Sequence, residues 1–255
     1  MTGPLDVIDR RLAWAWDQIE DVETIIRGLL SGKPLYEITT EPQADGVTDI
    51  LRAHAMRPIP PDLGFMVGDA IHNLRACLDN IAYGLVGCYR QPSWGTAFPI
   101  CKTAGRFQRK ALPKLTGIPQ GAIDIIEGVQ PYHDGDWTLH WLRLLDDRWN
   151  RDKHRSPTVV GSIPGHISYL AHDGDVADFV VFVDRGIEDG MEMGYVRYIS
   201  PQHTRRDPHL AFQIVVEEAD IPPQYRALPT LLQTEHHLIR DEVLNPLRPF
   251  FVELT

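Results

Sequence analysis

The sequence is poor in cysteine: Cys77, Cys88 and Cys101 are the only three in 255 residues. An odd number with no C-x-x-C pair points neither to a disulfide framework nor to a zinc knuckle. Such thiols suit a reducing compartment, so the expected location is cytoplasmic. Long apolar runs are missing too. No stretch approaches the roughly 20 apolar residues of a bilayer crossing, and no membrane partner is expected. The opening MTGPLDVIDRRLAW carries acids and lacks the apolar core of a secretory signal. G-x-G-x-x-G, G-K-[ST] and G-x-S-x-G are absent, which removes the usual signatures of nucleotide loops and of the serine-hydrolase elbow. H-E-x-x-H and E-x-x-H are absent as well, and neither a metal nor a cofactor is expected. Basic charge is the minority sign. Lys and Arg number 25 against 35 Asp and Glu, for a net −10. That disfavours a broad nucleic-acid coat but leaves room for a local basic site.

What is present is the patterning of a mixed fold. Residues 4–31 predict a helix. Leu5, Ile8, Leu12, Ala15, Ile19, Val22, Ile26 and Leu29 recur in steps of three and four, which lays them on one stripe. Residues 35–40 and 47–55 predict a hairpin around Asp45-Gly46, although 47–55 also reads as a short helix. Residues 62–87 predict the clearest helix, with Ile71, Leu74, Leu78, Ile81 and Leu85 as its apolar seam. A loop with a short helix near 104–111 follows, then a short helix over 119–129 and a long one over 136–152. From 157 to 217 the period changes to two. Strand candidates are 157–162, 166–171, 178–184, 193–199 and 209–217. Residues 224–252 return to helix, kinked or ended by Pro246 and Pro249.

Strands in blocks, rather than alternating with helices, argue for an α+β fold with an antiparallel sheet. The expectation is one domain over 1–255. A bundle of four or more helices would come from 1–33, 57–155 and 220–255, and a β layer from 34–56 and 156–219. The sheet would be inserted before the C-terminal helix. A separate β subdomain is the alternative.

Two polar clusters stand out. In GDAIHNLRACLDN (68–80), His72, Arg75 and Asp79 share a helix face. In LLDDRWNRDKHR (144–155), acids precede a basic helix end, which the C-terminal dipole favours. Asp147, Asn150, Arg151 and His154 fall on one face there. Each cluster reads either as a salt-bridged helix face or as a site. In the second reading an arginine holds a phosphate by a forked contact and His154 moves a proton. Weaker candidates are His237 with Asp241, a metal shared by His72, Asp79, His154 and His237, and the Arg205-Arg206 loop.

The segments H-N-L-R-x-x-L-D (72–79), Phe98-Pro99-Ile100 and N-x-D-K-H-R (150–155) resemble an uncharacterised group of bacterial and phage proteins. The resemblance covers roughly residues 62–156. More distantly, the chain is similar to the HEPN superfamily, helical bundles that include metal-independent ribonucleases of toxin–antitoxin and phage-defence systems. Their hallmark is Arg, four to six residues, then His. Arg148 and His154 meet that spacing, while Trp149 stands where Asn, Asp or His is usual. The resemblance implies RNA as substrate and a homodimer. Catalysis would fall to Arg148, His154, Asn150 and Asp147, and substrate binding to Arg151, Lys153, Arg155, His72, Arg75 and Asp79. The competing reading is a non-catalytic protein that presents an acidic surface to a partner protein. Both clusters would then be structural, and the tryptophans Trp14, Trp16, Trp94 and Trp137 would be contact candidates.

Overall fold

A computed structural model describes residues 3–153, 157–162, 176–181, 186–200, 210–218, 221–222 and 225–252. The fold is α+β, with the last helical stretch after the strands, as expected. Where one domain is expected, the chain forms two compact units. One comprises Met1–Val22, Phe65–Pro157 and Pro229–Thr255, the other Glu23–Gly64 and Thr158–Leu228. No helix among the described residues is long and apolar enough to cross a membrane.

The periodic segments fold as their spacing predicts. Helix α1 spans Pro4–Ser31 and α2 spans Asp62–Gly87. Of the predicted α1 stripe, Ile8, Leu12, Ala15, Ile19, Val22, Ile26 and Leu29 are buried, and Leu5 is half-buried. The whole α2 seam is buried. Helix α3 (Ala104–Arg106) runs on into a π-helical turn at Phe107–Ala111. Helix α4 covers Gln120–Gly128.

The predicted helix over 136–152 is broken. A 3-10 turn at Trp137–Leu139 precedes α5 at Trp141–Asp152. Two caps make the break. Asp136 accepts from the Thr138 N–H, and His140 Nδ1 accepts from the Leu142 N–H, so His140 serves as the N-cap of α5. Burial pushes the His140 imidazole below its ordinary pKa, which keeps Nδ1 free to accept; Asp134 opposes that shift.

The predicted helix 224–252 begins later. Residues Ala227–Leu228 form strand β7, and α6 runs from Thr230 to Leu238. A π segment (Ile239–Leu244), α7 (Asn245–Leu247) and a 3-10 turn (Arg248–Phe250) follow. Pro246 and Pro249 sit in the first positions of the last two, where a missing N–H is harmless.

Among the described residues the β unit holds two sheets rather than one. The larger is antiparallel in the order β1 (Tyr36–Pro42), β2 (Thr48–Ala55), β5 (Glu192–Tyr198), β4 (Val176–Val181). The smaller has the order β3 (Val159–Ser162), β6 (Gln213–Val216), β7. The strand candidate 166–171 and the Arg205-Arg206 loop lie outside the described residues. The second arm of the predicted hairpin is therefore strand, Thr48–Ala55, not helix. Asp45 fixes that hairpin by accepting the Val47 and Thr48 N–H groups, and Gly46 takes the left-handed conformation at φ 73°. All three cysteines are buried, and burial pushes the Cys77 thiol up to about 12.

Gly194 in the middle of β5 has φ 148°. A Cβ there would stand 1.9 Å from the Val180 carbonyl oxygen on the paired strand β4. Backbone cannot yield as a side chain can. The variant Gly194→Ala is therefore expected to lose about 3 kcal/mol or more of stability in urea unfolding. A loss under about 1 kcal/mol would show that the strand tolerates a side chain there.

Candidate functional site

The two polar clusters of the sequence meet on the helical unit, where α2 faces α5. Gly68 lies at the contact. A Cβ on it would lie 2.5 Å from Asp152 Oδ1, so a side chain here would force the Asp152 carboxylate to move.

Arg75 is the hub. Its Nε donates to Asp146 Oδ1 at 3.0 Å, its Nη1 to Asp79 Oδ1, and its Nη2 to the Phe98 carbonyl at 3.4 Å. Asp79 in turn accepts the Phe98 N–H at 3.0 Å. The pair Arg75–Asp79 thus grips both polar groups of Phe98. Gln130 does the same further along: it accepts the Cys101 N–H and donates to the Pro99 carbonyl and, within α4, to the Ile126 carbonyl. The Phe98-Pro99-Ile100 loop is therefore fastened by side chains, as a buried loop must be. The Trp149 ring lies 5.1 Å from the Arg75 guanidinium and 3.0 Å from Lys153 Nζ.

His72 is exposed beside this hub. Trp149 donates its indole N–H to His72 Nδ1 at 3.3 Å. That leaves Nε2 as the protonated nitrogen of the neutral ring. The Asp152 carboxyl is raised, first by burial and then by Asp69, while His72 acts in the opposite direction.

The remaining candidates are placed as follows. Arg148 is 3% exposed and pairs with Glu235 of α6, Nη1 to Oε1, at 2.7 Å. Its guanidinium is buried in the core, whereas the sequence reading expects it at the surface. Asp147 pairs with Arg143 one turn back at 2.7 Å, rather than with its neighbours toward the helix end. Asn150 donates to the carbonyl and the carboxylate of Asp146 and accepts from Lys153. Arg151 and Lys153 are exposed. His154 and Arg155 lie outside the described residues.

Sequence reasoning finds the α2 face correctly but misses Gly68, Asp146, Trp149 and Asp152 as its partners. Asp146 carries the only signal, four residues before Asn150. Glu235, 87 residues from Arg148, carries none.

The weaker candidates separate. Asp241 pairs with Arg240 at 2.8 Å, which holds its carboxyl below the usual range, helped less by the two histidines. Among the described residues no group of three His, Cys, Asp or Glu could hold a metal. His236 is buried against the Trp16 ring at 4.8 Å and His237 stacks near it at 5.4 Å. Compared with known proteins, the chain matches no family model, no curated protein and no solved structure.

Two consequences can be measured. Replacing Arg75 by Met leaves Asp79, Asp146 and the Phe98 carbonyl without their common donor. A loss of about 3 kcal/mol is expected in urea unfolding, and a loss under about 0.5 kcal/mol would contradict the hub. His236 is held neutral, its pKa pushed down to about 4 by burial first and by His237 next, against the Leu12 carbonyl. The unfolded imidazole titrates near 6.5, so between those values the unfolded chain binds more protons. Stability should therefore fall as pH drops from about 6.5 to 4, by at most about 3 kcal/mol from this group. His236→Leu should flatten that slope, and an unchanged slope would assign it to other groups.

Proposed function

We propose that this chain is a non-catalytic interaction protein whose two polar clusters are structural ties. The observation that carries this reading is the buried Arg148–Glu235 pair. The arginine that the HEPN-like spacing would aim at a phosphate is used up inside the helical unit. Arg75 supports the same reading, because its three hydrogen bonds and one ring contact all join parts of that unit. The described charges at the α2–α5 face also fit poorly with a polyanion. Asp69, Asp79, Asp146 and Asp152 stand there against Arg75, Arg151 and Lys153.

The surface that such a protein offers on the helical unit is the outer face of α1. Val7 is 49% exposed and Trp14 59% exposed, one heptad apart on that face. Aromatic anchors in a polar surround are the usual centre of a protein contact. Arg10 and Asp17 flank Trp14 on the same face, so two antiparallel copies of α1 would set opposite charges against each other. A homodimer through this face is part of the proposal.

One observation favours chemistry instead. Exposed His72, with its tautomer set by Trp149, lies within electrostatic reach of the raised Asp152 carboxyl. Such a pairing of an imidazole and a poised carboxyl occurs in acid–base sites.

Two experiments separate the readings. Purified protein incubated with RNA in EDTA from about pH 5 to 9 should leave the RNA intact. Cleavage that disappears in His154→Ala or His72→Ala would overturn the proposal and restore the ribonuclease reading. Light scattering after size exclusion should give a dimer, and Trp14→Glu should give a folded monomer. A wild-type monomer at about 100 μM would remove the α1 interface.

A further inference from the structure

A second site lies in the β unit, far in character from the polar clusters. A groove of about 880 Å³ opens beside the C-terminal end of α1. That is the size of a small-molecule pocket. Its walls include Leu30, Leu35, Met56 and Phe212, and among the described residues its charged lining is Arg57 and Lys33 against the carboxylate of Glu37.

Arg57 is the telling residue. Helix α1 stops at Ser31 and leaves the carbonyls of its last turn without helical partners. Arg57 satisfies one of them, donating from Nη2 to the Leu29 carbonyl. This uses one of five guanidinium N–H groups. Nε is sealed from solvent and has no hydrogen-bond partner among the described residues. No carboxylate among them pairs with this guanidinium. A half-buried cation without a counter-charge is costly, and the forked geometry of a carboxylate is its natural complement. Beside it two apolar side chains are open to water, Leu30 at 44% and Met56 at 56% exposed, next to buried Leu35. Exposed apolar surface converging on one unneutralised cation is the surface that a ligand covers.

We infer that this groove binds a single-chain amphiphilic carboxylate, of the fatty-acid class. The carboxylate meets Arg57, with Lys33 adding long-range attraction at the mouth. The alkyl chain lies along Leu30, Leu35, Met56 and Phe212. Every part of this inference is independent of whether the helical unit is catalytic.

Calorimetric titration of the whole protein with decanoate, below its micelle concentration, tests it, with decanol as the uncharged twin. Wild-type protein is expected to bind decanoate saturably at one site and decanol at least tenfold more weakly. Arg57→Gln should weaken decanoate at least tenfold while changing decanol less than about twofold. Since Arg57 also caps α1, circular dichroism must show that this variant is folded. Met56→Glu, at an exposed position, provides the second reading. It sets a like charge in the mouth and should weaken decanoate more than decanol. Absence of saturable decanoate binding, equal wild-type affinity for acid and alcohol, or equal losses for both ligands in Met56→Glu would each overturn the inference.

Discussion

A guanidinium removed from water must find its partners within the fold, and Arg75 meets that demand from three directions at once. Its donors reach the next turn of its own helix, the facing helix α5 and the backbone of the Phe98 loop. None of these can shift alone without leaving a polar group unsatisfied. The register of α2 on α5 is thereby set, and at Gly68 the Asp152 carboxylate lies directly against α2. Arg148 repeats the principle between α5 and α6. The helical unit is thus joined by apolar seams for energy and by two arginines for alignment.

On the non-catalytic reading proposed above, this division is what sets the candidate site apart from a reaction centre. A catalytic group must hold part of its hydrogen-bonding capacity in reserve for the substrate. Arg75 and Arg148 hold their described bonds inward. Among the described residues of the two clusters, Asp69, His72, Asn150, Arg151 and Lys153 are exposed. The basic ones lie among carboxylates, so their field is weak at a distance. A partner for this face would have to be recognised by close polar contacts rather than drawn in by charge.

Helix positions were legible because α1 and α2 each carry an unbroken three-four repeat, which is a local property of the chain. The sharing of one face by His72, Arg75 and Asp79 was legible for the same reason. The break before α5 was not, because it turns on His140 acting as a cap through Nδ1, and histidine is an uncommon cap. Strand β7 is not legible because two residues carry no period. The second sheet is not legible because pairing partners are not written in the period of a strand. The fate of Arg148 was hidden for a stricter reason. Its partner Glu235 lies on the far side of the β block, and only the folded chain brings them within bonding distance. Short spacing motifs share this weakness: they record that two residues can meet, not which other group has already claimed one of them.

The buried thiols bear on how the molecule can be studied. Cys77, Cys88 and Cys101 are all shut away from solvent, and burial raises the thiols of Cys77 and Cys101, which disfavours the thiolate that reacts with electrophiles. The native fold therefore presents no ready nucleophile to a maleimide. A cysteine introduced at one surface position would be the one that takes the label. Dyes or spin probes could then be placed singly, one on each compact unit in turn, without first removing the natural sulfurs.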